Sequence, residues 1–242
     1  MTASRTLTDL LIDPILAASP ANPLVTYYDD ATGERVELSA ITLMNWVAKT
    51  ANMLRDEFGL AAGDRVCVLM PAHWQTVAVL LGAWWNGCEV VLEADPANGG
   101  PTARLAVVTA ERMDEVQDID EIAVCSLDAF GRAVPDLPPT MTDYASTVRI
   151  HGDHFSSTRI SGAAPALDGR SITEVLEVAR AARVDLGPSD RVLSQRNWNT
   201  VDKLVDGLLA VLAAGSSLVQ VANMDPSALE RRMTSEKVTR QL

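Results

Sequence analysis

Apolar side chains recur along this chain in two periods, and the switches between them mark its elements. Residues 6–18 place apolar positions at three- and four-residue steps, which predicts a short amphipathic helix. LVTYYD (24–29) and RVELS (35–39) read as strands, and the DATGE segment between them puts Gly33 in the turn of a β-hairpin. Ser39 is placed to cap a helix whose Ile41, Met44, Val47, Ala51, Leu54 and Phe58 form one stripe, with Gly59 as its stop.

From there the pattern becomes strand and helix in turn. RVCVLM (65–70) is a strand stopped by Pro71. Residues 73–85 form a mostly apolar helix closed by Gly87, and CEVVLE (88–93) is the next strand. LAVVT (105–109), a helix over AERMDEVQ (110–117) and EIAVCSL (121–127) repeat the unit. Strands that are apolar throughout and joined by short helical crossovers belong in a parallel sheet covered on both faces. Residues 128–147 contain PDLPP and little periodicity, and read as a surface connection. Beyond it, VRIHGD (148–153) has a strand pattern. Residues 171–184 form a helix with a Ser171–Glu174 capping box, and 190–194 a short strand. An apolar helix over 200–214 ends at Gly215, SLVQV follows as a strand, and Asp225-Pro226 opens a last helix.

The expected fold class is therefore α/β: a mainly parallel, flavodoxin-like sheet with helices on both faces and an N-terminal β-hairpin. The organisation is an N-terminal α/β subdomain with the hairpin (1–127), a connecting loop (128–147) and a second α/β segment (148–242).

Composition narrows the function classes. The 242 residues are 48% apolar and 21% charged, those of a globular chain, and the formal net charge is −12. Such a chain repels nucleic acid and anionic membranes, and no basic patch offsets the field. TVAVLLGAWW is too short to span a bilayer, and the N-terminus lacks a signal-peptide design. Cys67, Cys88 and Cys125 lack metal spacing and sit in apolar runs, as buried strand residues of a cytoplasmic protein do.

Three blocks resemble the adenylate-forming (AMP-binding, acyl-CoA synthetase-like) superfamily in order and spacing. The first runs from YYDD through the Gly63–Val66 turn to Asp95 and Pro96. The second is DRVLS (190–194) with GLLAVLAAGSSLVQV. The third is MDPSALERRMTSEKVTRQL, with Val238-Thr239 at the place of the family's Val-Thr. Length and pattern are also similar to a small actinobacterial family related to AMP-binding domains. The resemblance implies a truncated adenylation-domain architecture. The superfamily's adenine-binding segments, its Mg²⁺-binding Glu, its ribose-binding Asp and the lysine of its mobile C-terminal domain come later than the position of Leu242.

The superfamily's diagnostic loop, rich in Ser, Thr and Gly and ending in Pro-Lys-Gly, wraps the ATP phosphates. Residues 160–169 stand in its register. Ser161, Gly162 and Gly169 survive there. Ala163 and Ala164 replace hydroxyls, Pro165 replaces a glycine, and Asp168 stands at the lysine position. Like charges roughly 4 Å apart at an effective dielectric of about 20 repel by about 4 kcal/mol, so the exchange of lysine for Asp168 reverses the local sign. Arg159 and Arg170 flank the loop and would be the remaining anion-binding groups of this vestigial phosphate site. Trp198 and Thr200 fall where the superfamily's Pro-aromatic-His segment lines the acyl pocket.

Other constellations are weaker. His151, Asp153 and His154 have no third ligand nearby in sequence, so no metal site is expected. Ser156, Ser157 and Thr158 beside His154 lack the elbow of a serine hydrolase. His73 opens a helix as a surface or cap residue. Trp84 and Trp85 face different directions, one into the core and one toward a contact surface.

The resulting expectation is a non-catalytic relative that serves as a binding or scaffold protein. It has no catalytic residue and no cofactor, and it forms a homodimer or takes a protein partner over the truncated face. Two alternatives stay open. One is a split or minimal acyl-adenylating enzyme using ATP/AMP and Mg and completed by another chain. The other is a small acyl-ligand binder using the pocket at Trp198.

Overall fold

The computed structural model of the protein describes residues 5–93, 102–157 and 159–242. The Asp95-Pro96 pair and Thr158 lie outside the described residues.

Helix α1 (Leu7–Ala18) begins at a capping box between Thr6 and Asp9. β1 (Pro23–Asp29) and β2 (Glu34–Ser39) pair antiparallel, with Gly33 turning between them at φ +78°. Ser39 accepts the Thr42 N–H and starts α2 (Ala40–Asp56). Past its end, Gly59 takes φ +60° and the Leu60 N–H returns to the Leu54 carbonyl. The stripe on α2 differs from the expected one. Val47, Ala51 and Leu54 are buried, but Ile41 is 47% exposed, while Leu43, Thr50 and Met53 are fully buried. Contacts with the helices at Trp74–Trp85 and Tyr144–Val148 and with the hairpin widen the covered face and turn it away from Ile41.

β3 (Arg65–Leu69), α3 (Trp74–Trp85), β4 (Glu89–Val91) and β5 (Leu105–Thr109) follow as read from the pattern. The segment Ala110–Val116 is a 3₁₀ helix rather than an α-helix, and β6 is Glu121–Cys125. The expected strand at 148–153 does not form. Asp143 instead caps a short helix by accepting the Ser146 N–H at 2.7 Å, and Tyr144 buries itself there. The 128–147 connection thus contains β7 (Thr142–Asp143) and feeds α4 (Tyr144–Val148).

β8 (Pro165–Leu167) and β9 (Arg170–Ser171) form a small hairpin ahead of α5 (Ile172–Ala182), where the Ser171–Glu174 capping box is present. After β10 (Arg191–Ser194) comes a helical stretch in three parts: α6 (Val201–Leu204), a π turn at Val205–Leu209 and α7 (Ala210–Ala213). β11 (Ser217–Ala222), a 3₁₀ turn at Pro226–Ala228, α8 (Leu229–Ser235) and β12 (Arg240–Gln241) complete the chain.

The fold is α/β with mostly parallel strands, and these are divided between two sheets. One has the order β12-β10-β11-β1-β2, with β2 antiparallel. The other has the order β7-β6-β5-β3-β4-β8-β9, with β9 antiparallel. The N-terminal hairpin therefore joins strands from after residue 190, and β8 and β9 join strands from before residue 126. The sheets cross the 128–147 connection rather than being separated by it.

Strand alternation sorts the layers. Val66 and Val68 of β3 face the main core, which α1, α2, α3, α5 and α7 fill between the two sheets. Cys67 and Leu69, on the opposite face, pack under the 3₁₀ segment and Val134, Leu137 and Met141. In the other sheet Val192 and Leu218 face the central helices, while Leu193 and Val219 pack under α8. All three cysteines are free and buried, and burial pushes the Cys67 and Cys88 thiols up to about 12.

Candidate functional site

The 160–169 loop is held by hydrogen bonds to itself, to β4 and to α5. Asp168 and Gly169 form the two-residue turn between β8 and β9, with φ of +44° and +79°. Asp-Gly is a favoured pair wherever both turn residues need positive φ. The Asp168 N–H donates to the Val90 carbonyl at 3.0 Å, and its carboxylate accepts the Leu92 N–H at 3.3 Å. The Gly169 N–H donates to Glu89 Oε1 at 2.7 Å. The tip of the loop is thereby fastened to β4.

Elsewhere in the loop further groups are bonded within the protein. Ser161 Oγ accepts the Ala163 N–H at 3.2 Å, and the Ser161 carbonyl accepts the Ala164 N–H at 2.9 Å. The Gly162 carbonyl accepts both the N–H and the hydroxyl of Thr173. The Ala164 carbonyl accepts the Ile172 N–H. Pro165 has no N–H to offer. At the start of α5, Glu174 Oε2 takes the Ser171 N–H at 2.8 Å, so a carboxylate occupies the helix terminus. From below, Trp84 donates its indole N–H to the Ala166 carbonyl at 2.7 Å.

A phosphate cradle requires several backbone N–H groups pointing at the same empty point, backed by positive charge. Here the N–H groups of Ala163, Ala164, Asp168 and Gly169 all have protein acceptors. The local charge is negative: burial pushes the Asp168 carboxyl above its ordinary value, and Glu89 and Glu93 push it the same way against the Leu92 N–H. Arg65 stands 3.2 Å from Glu89 and answers that carboxylate. Arg159 is exposed and Arg170 half-buried in β9. These four N–H groups are therefore not free to converge on one anion.

The other sequence-derived positions separate in space. Trp198 is buried and packs on Gly207 of the π turn, where a Cβ would stand 3.0 Å from its indole nitrogen. Thr200 is exposed and caps α6, accepting the Lys203 N–H at 3.4 Å. His151 stands 3.3 Å from Glu57, whereas the His154 ring is fully solvent-exposed beside Asp153. Among the described residues no three potential ligands gather. Ser157 donates to Asp9. Trp84 is the core member of its pair. Trp85 is half-buried, stacks near Phe155 and donates to Asp9.

Two clusters escaped the sequence reading. A polar cavity of about 520 Å³ lies at the N-terminal ends of β1, β10 and β11, walled by Arg35, Glu37, Asp190, Arg191, Glu236 and Lys237. Its charges come from segments about 200 residues apart in sequence, so no local motif announces it. The second surrounds His73. This residue caps α3 as expected, through Nδ1 accepting the Gln75 N–H at 3.1 Å, but it is buried rather than on the surface. Burial pulls its pKa down against the opposing pull of Glu34, 3.6 Å from Nε2. The signal for it was PAHWQ directly after β3, the start of a helix at the carboxyl end of a parallel strand.

No family model matches the chain. It is 51% identical over 251 aligned positions, covering all of both chains, to the TIGR03089 family protein of Mycobacterium tuberculosis. A 62-residue stretch is 39% identical to acetyl-coenzyme A synthetase of Coprinopsis cinerea, which is 26% of this chain and 9% of that one. Among solved structures, the acyl-CoA synthetase of Brucella canis superposes with a TM-score of 0.80 at 18% identity, over 98% of this chain and 46% of its own. The anthranilate CoA ligase AuaEII, solved with anthranoyl-AMP, gives 0.74 at 13% identity, over 98% and 49%. The chain spans about half the length of these solved ligases, and at such identities the likeness is one of fold.

Proposed function

The chain belongs to the TIGR03089 family, and from the geometry of its 160–171 loop we propose an AMP-binding-domain-like binding or scaffold protein that does not activate carboxylates with ATP. The observation that carries this reading is the occupied donor set. Four backbone N–H groups of the loop are bonded within the protein, and Asp168 stands where the superfamily's lysine would. An anion arriving here would have to break those bonds and face a carboxylate. The reading calls for no cofactor.

Isothermal calorimetry with ATP and Mg²⁺ tests it. The expected result is no saturable heat across the range of about 1 µM–1 mM in which enzymes hold their substrates, and no ATP–pyrophosphate exchange with a panel of carboxylic acids. Asp168→Lys is expected to leave both results unchanged, because the Ala163 and Ala164 N–H groups stay bonded. Saturable ATP binding in that range that disappears with Arg159→Ala or Arg170→Ala would overturn the proposal. It would favour a split acyl-adenylating enzyme completed by another chain.

The proposal includes a homodimer or a protein partner. In support, the five-stranded sheet ends at β12, a two-residue strand paired only with β10 among the described residues. Open sheet edges are templates for further pairing. Light scattering at high micromolar concentration is expected to give a mass above 26.0 kDa, or a complex with a co-purifying protein. A strict monomer without a partner counts against it. The net charge of −12 argues against nucleic acid as that partner, and no described helix is long and apolar enough to cross a membrane. A cytoplasmic setting completes the proposal and suits three free thiols.

A further inference from the structure

His73 stands at a joint between the two sheets. It follows β3 of the seven-stranded sheet and opens α3, and its ring meets the Tyr27 ring of β1 edge to face with centroids 4.3 Å apart. The Trp74 ring lies on another side, with centroids 5.6 Å apart. From β3 the chain passes to β4 on one side and then to β5 on the other, so the strand order reverses here.

The two ring nitrogens have different partners. Nδ1 accepts the Gln75 N–H at 3.1 Å, so it carries no proton of its own. A neutral imidazole keeps one proton, which therefore sits on Nε2. Nε2 is 3.6 Å from Glu34 Oε1 at the start of β2, beyond the range of a good hydrogen bond, and neither atom has a hydrogen-bond partner elsewhere. With Nδ1 spent on the helix and Nε2 beside Glu34, no nitrogen is left to serve a substrate, and the pair is not an acid–base dyad.

Protonation sets the two contacts against each other. A second proton has to go on Nδ1, where it points at the Gln75 N–H, and two donors make no bond. The new charge also lies at the positive end of the α3 dipole, and α3 has no acidic residue in its first turn to offset it. On the other side the cation is drawn to Glu34 of β2 and Asp29 of β1, the charged groups that act on the ring. Tyr27 stays neutral, since burial pushes its hydroxyl up. Burial of the imidazole itself is the largest influence and holds its pKa below the ordinary histidine value, against Glu34 and Asp29.

We propose that His73 is a proton-operated latch on the start of α3. Neutral, it fastens the first turn by holding the Gln75 N–H. Protonated, it releases that N–H and turns to Glu34, and the first turn opens. The Thr76 hydroxyl, bonded to the Pro71 carbonyl at 2.7 Å, keeps the helix tethered to the end of β3 meanwhile. The turn that is released lies at the reversal of strand order, where open α/β sheets take their ligands. A histidine held below its ordinary value favours the folded state fully above about pH 6.5, and that contribution is lost as the pH falls further. The latch depends on no property of the 160–171 loop.

The test is NMR of the native protein with ¹⁵N in its three histidines, the His73 signals being assigned through ring-to-backbone correlations. At pH 7 the expected result is a proton on Nε2 and a bare Nδ1. As the pH is lowered to the point of unfolding, His73 is expected to take up its second proton below pH 6.5, with the Gln75 amide moving at the same midpoint. Amide exchange is expected to rise at Gln75 before it rises in α2 or α5. Glu34→Gln is expected to move the midpoint further down, because it removes an attracting charge. His73→Asn keeps a capping oxygen that does not titrate, so its stability in urea is expected to fall less than the wild type's between pH 6.5 and 4.5. A proton on Nδ1 at pH 7, or a His73 midpoint at or above 6.5, overturns the latch. So does a Gln75 amide indifferent to the ring's titration, or exchange that rises together in all helices. These readings come from the native protein, so they hold even if neither variant folds.

Discussion

Replacing Trp84 with alanine is expected to destabilise the protein by about 3–5 kcal/mol, with the melting temperature falling by about 2–4 °C for each kcal/mol lost. Trp84 heads the fully buried side chains by volume, at 1% exposure. It sits on α3 at the junction of β4 and β8, and its indole N–H donates to the Ala166 carbonyl. Alanine leaves a cavity among α1, α5 and the sheet, and also strands that carbonyl. Trp84→Phe separates the two contributions. It keeps most of the volume and loses the hydrogen bond, at a cost nearer 1–2 kcal/mol. Urea unfolding of the three proteins decides the matter. A loss below about 1 kcal/mol for the alanine variant would mean that this indole does not anchor β8, since large-to-small changes at a filled core site cost more.

Glu236→Ala is expected to cost about 2–3 kcal/mol, for a different reason: it removes the shared acceptor of Tyr28, Arg35 and Arg191, although Glu37 still stands within ion-pair distance of both arginines. Glu236 is buried at the end of α8. Its carboxylate accepts the Tyr28 hydroxyl and the guanidinium groups of Arg35 and Arg191, and so ties the C-terminal helix to the hairpin and β10. Burial alone would raise the pKa of this carboxyl. The hydrogen bonds from Tyr28, Arg191 and Arg35 outweigh burial and hold it at about 2.

A carboxyl held below its ordinary value stabilises the folded state fully above about pH 4.5, and that contribution fades as the pH falls through about 2. Asp30, held low first of all by its hydrogen bonds from Arg232, acts in the same direction. Glu236→Gln isolates one from the other. The variant cannot ionise at 236, so its stability should fall less steeply than the wild type's between pH 4.5 and 2 in urea titrations. Parallel curves would remove Glu236 from the acid response.

Much of the fold was legible because it is written in local chemistry. Ser39 and Ser171 cap helices, Gly33 and Gly59 turn where L-residues resist, and the apolar runs at 65–70 and 105–109 form central parallel strands. Errors arose where a short segment had two local choices. VRIHGD has the alternation of a strand, but Asp143 had already started a helix that buries Tyr144. Ile41 fits a helical stripe, yet the neighbours of α2 cover the adjacent face. The residues Ala163, Ala164, Pro165 and Asp168 of the loop were visible in the sequence. That the loop closes on β4 and spends the Asp168 and Gly169 N–H groups there was not.

What the sequence determined by itself is the identity of the elements and the sign of the charge at the loop, because caps, turn glycines, periodicity and side-chain type act within a few residues. The tertiary structure decided which strands are neighbours. Hydrophobic alternation says that a strand is buried on both faces but not which strand lies beside it, so the division into two sheets, with the hairpin against β11, had no local signal. The same holds for the chemistry that depends on distance. Glu236 meets Arg35 across 201 positions in the chain, and the His73 imidazole comes to stand 3.6 Å from Glu34. Those encounters follow from packing, which brings distant segments within hydrogen-bonding reach.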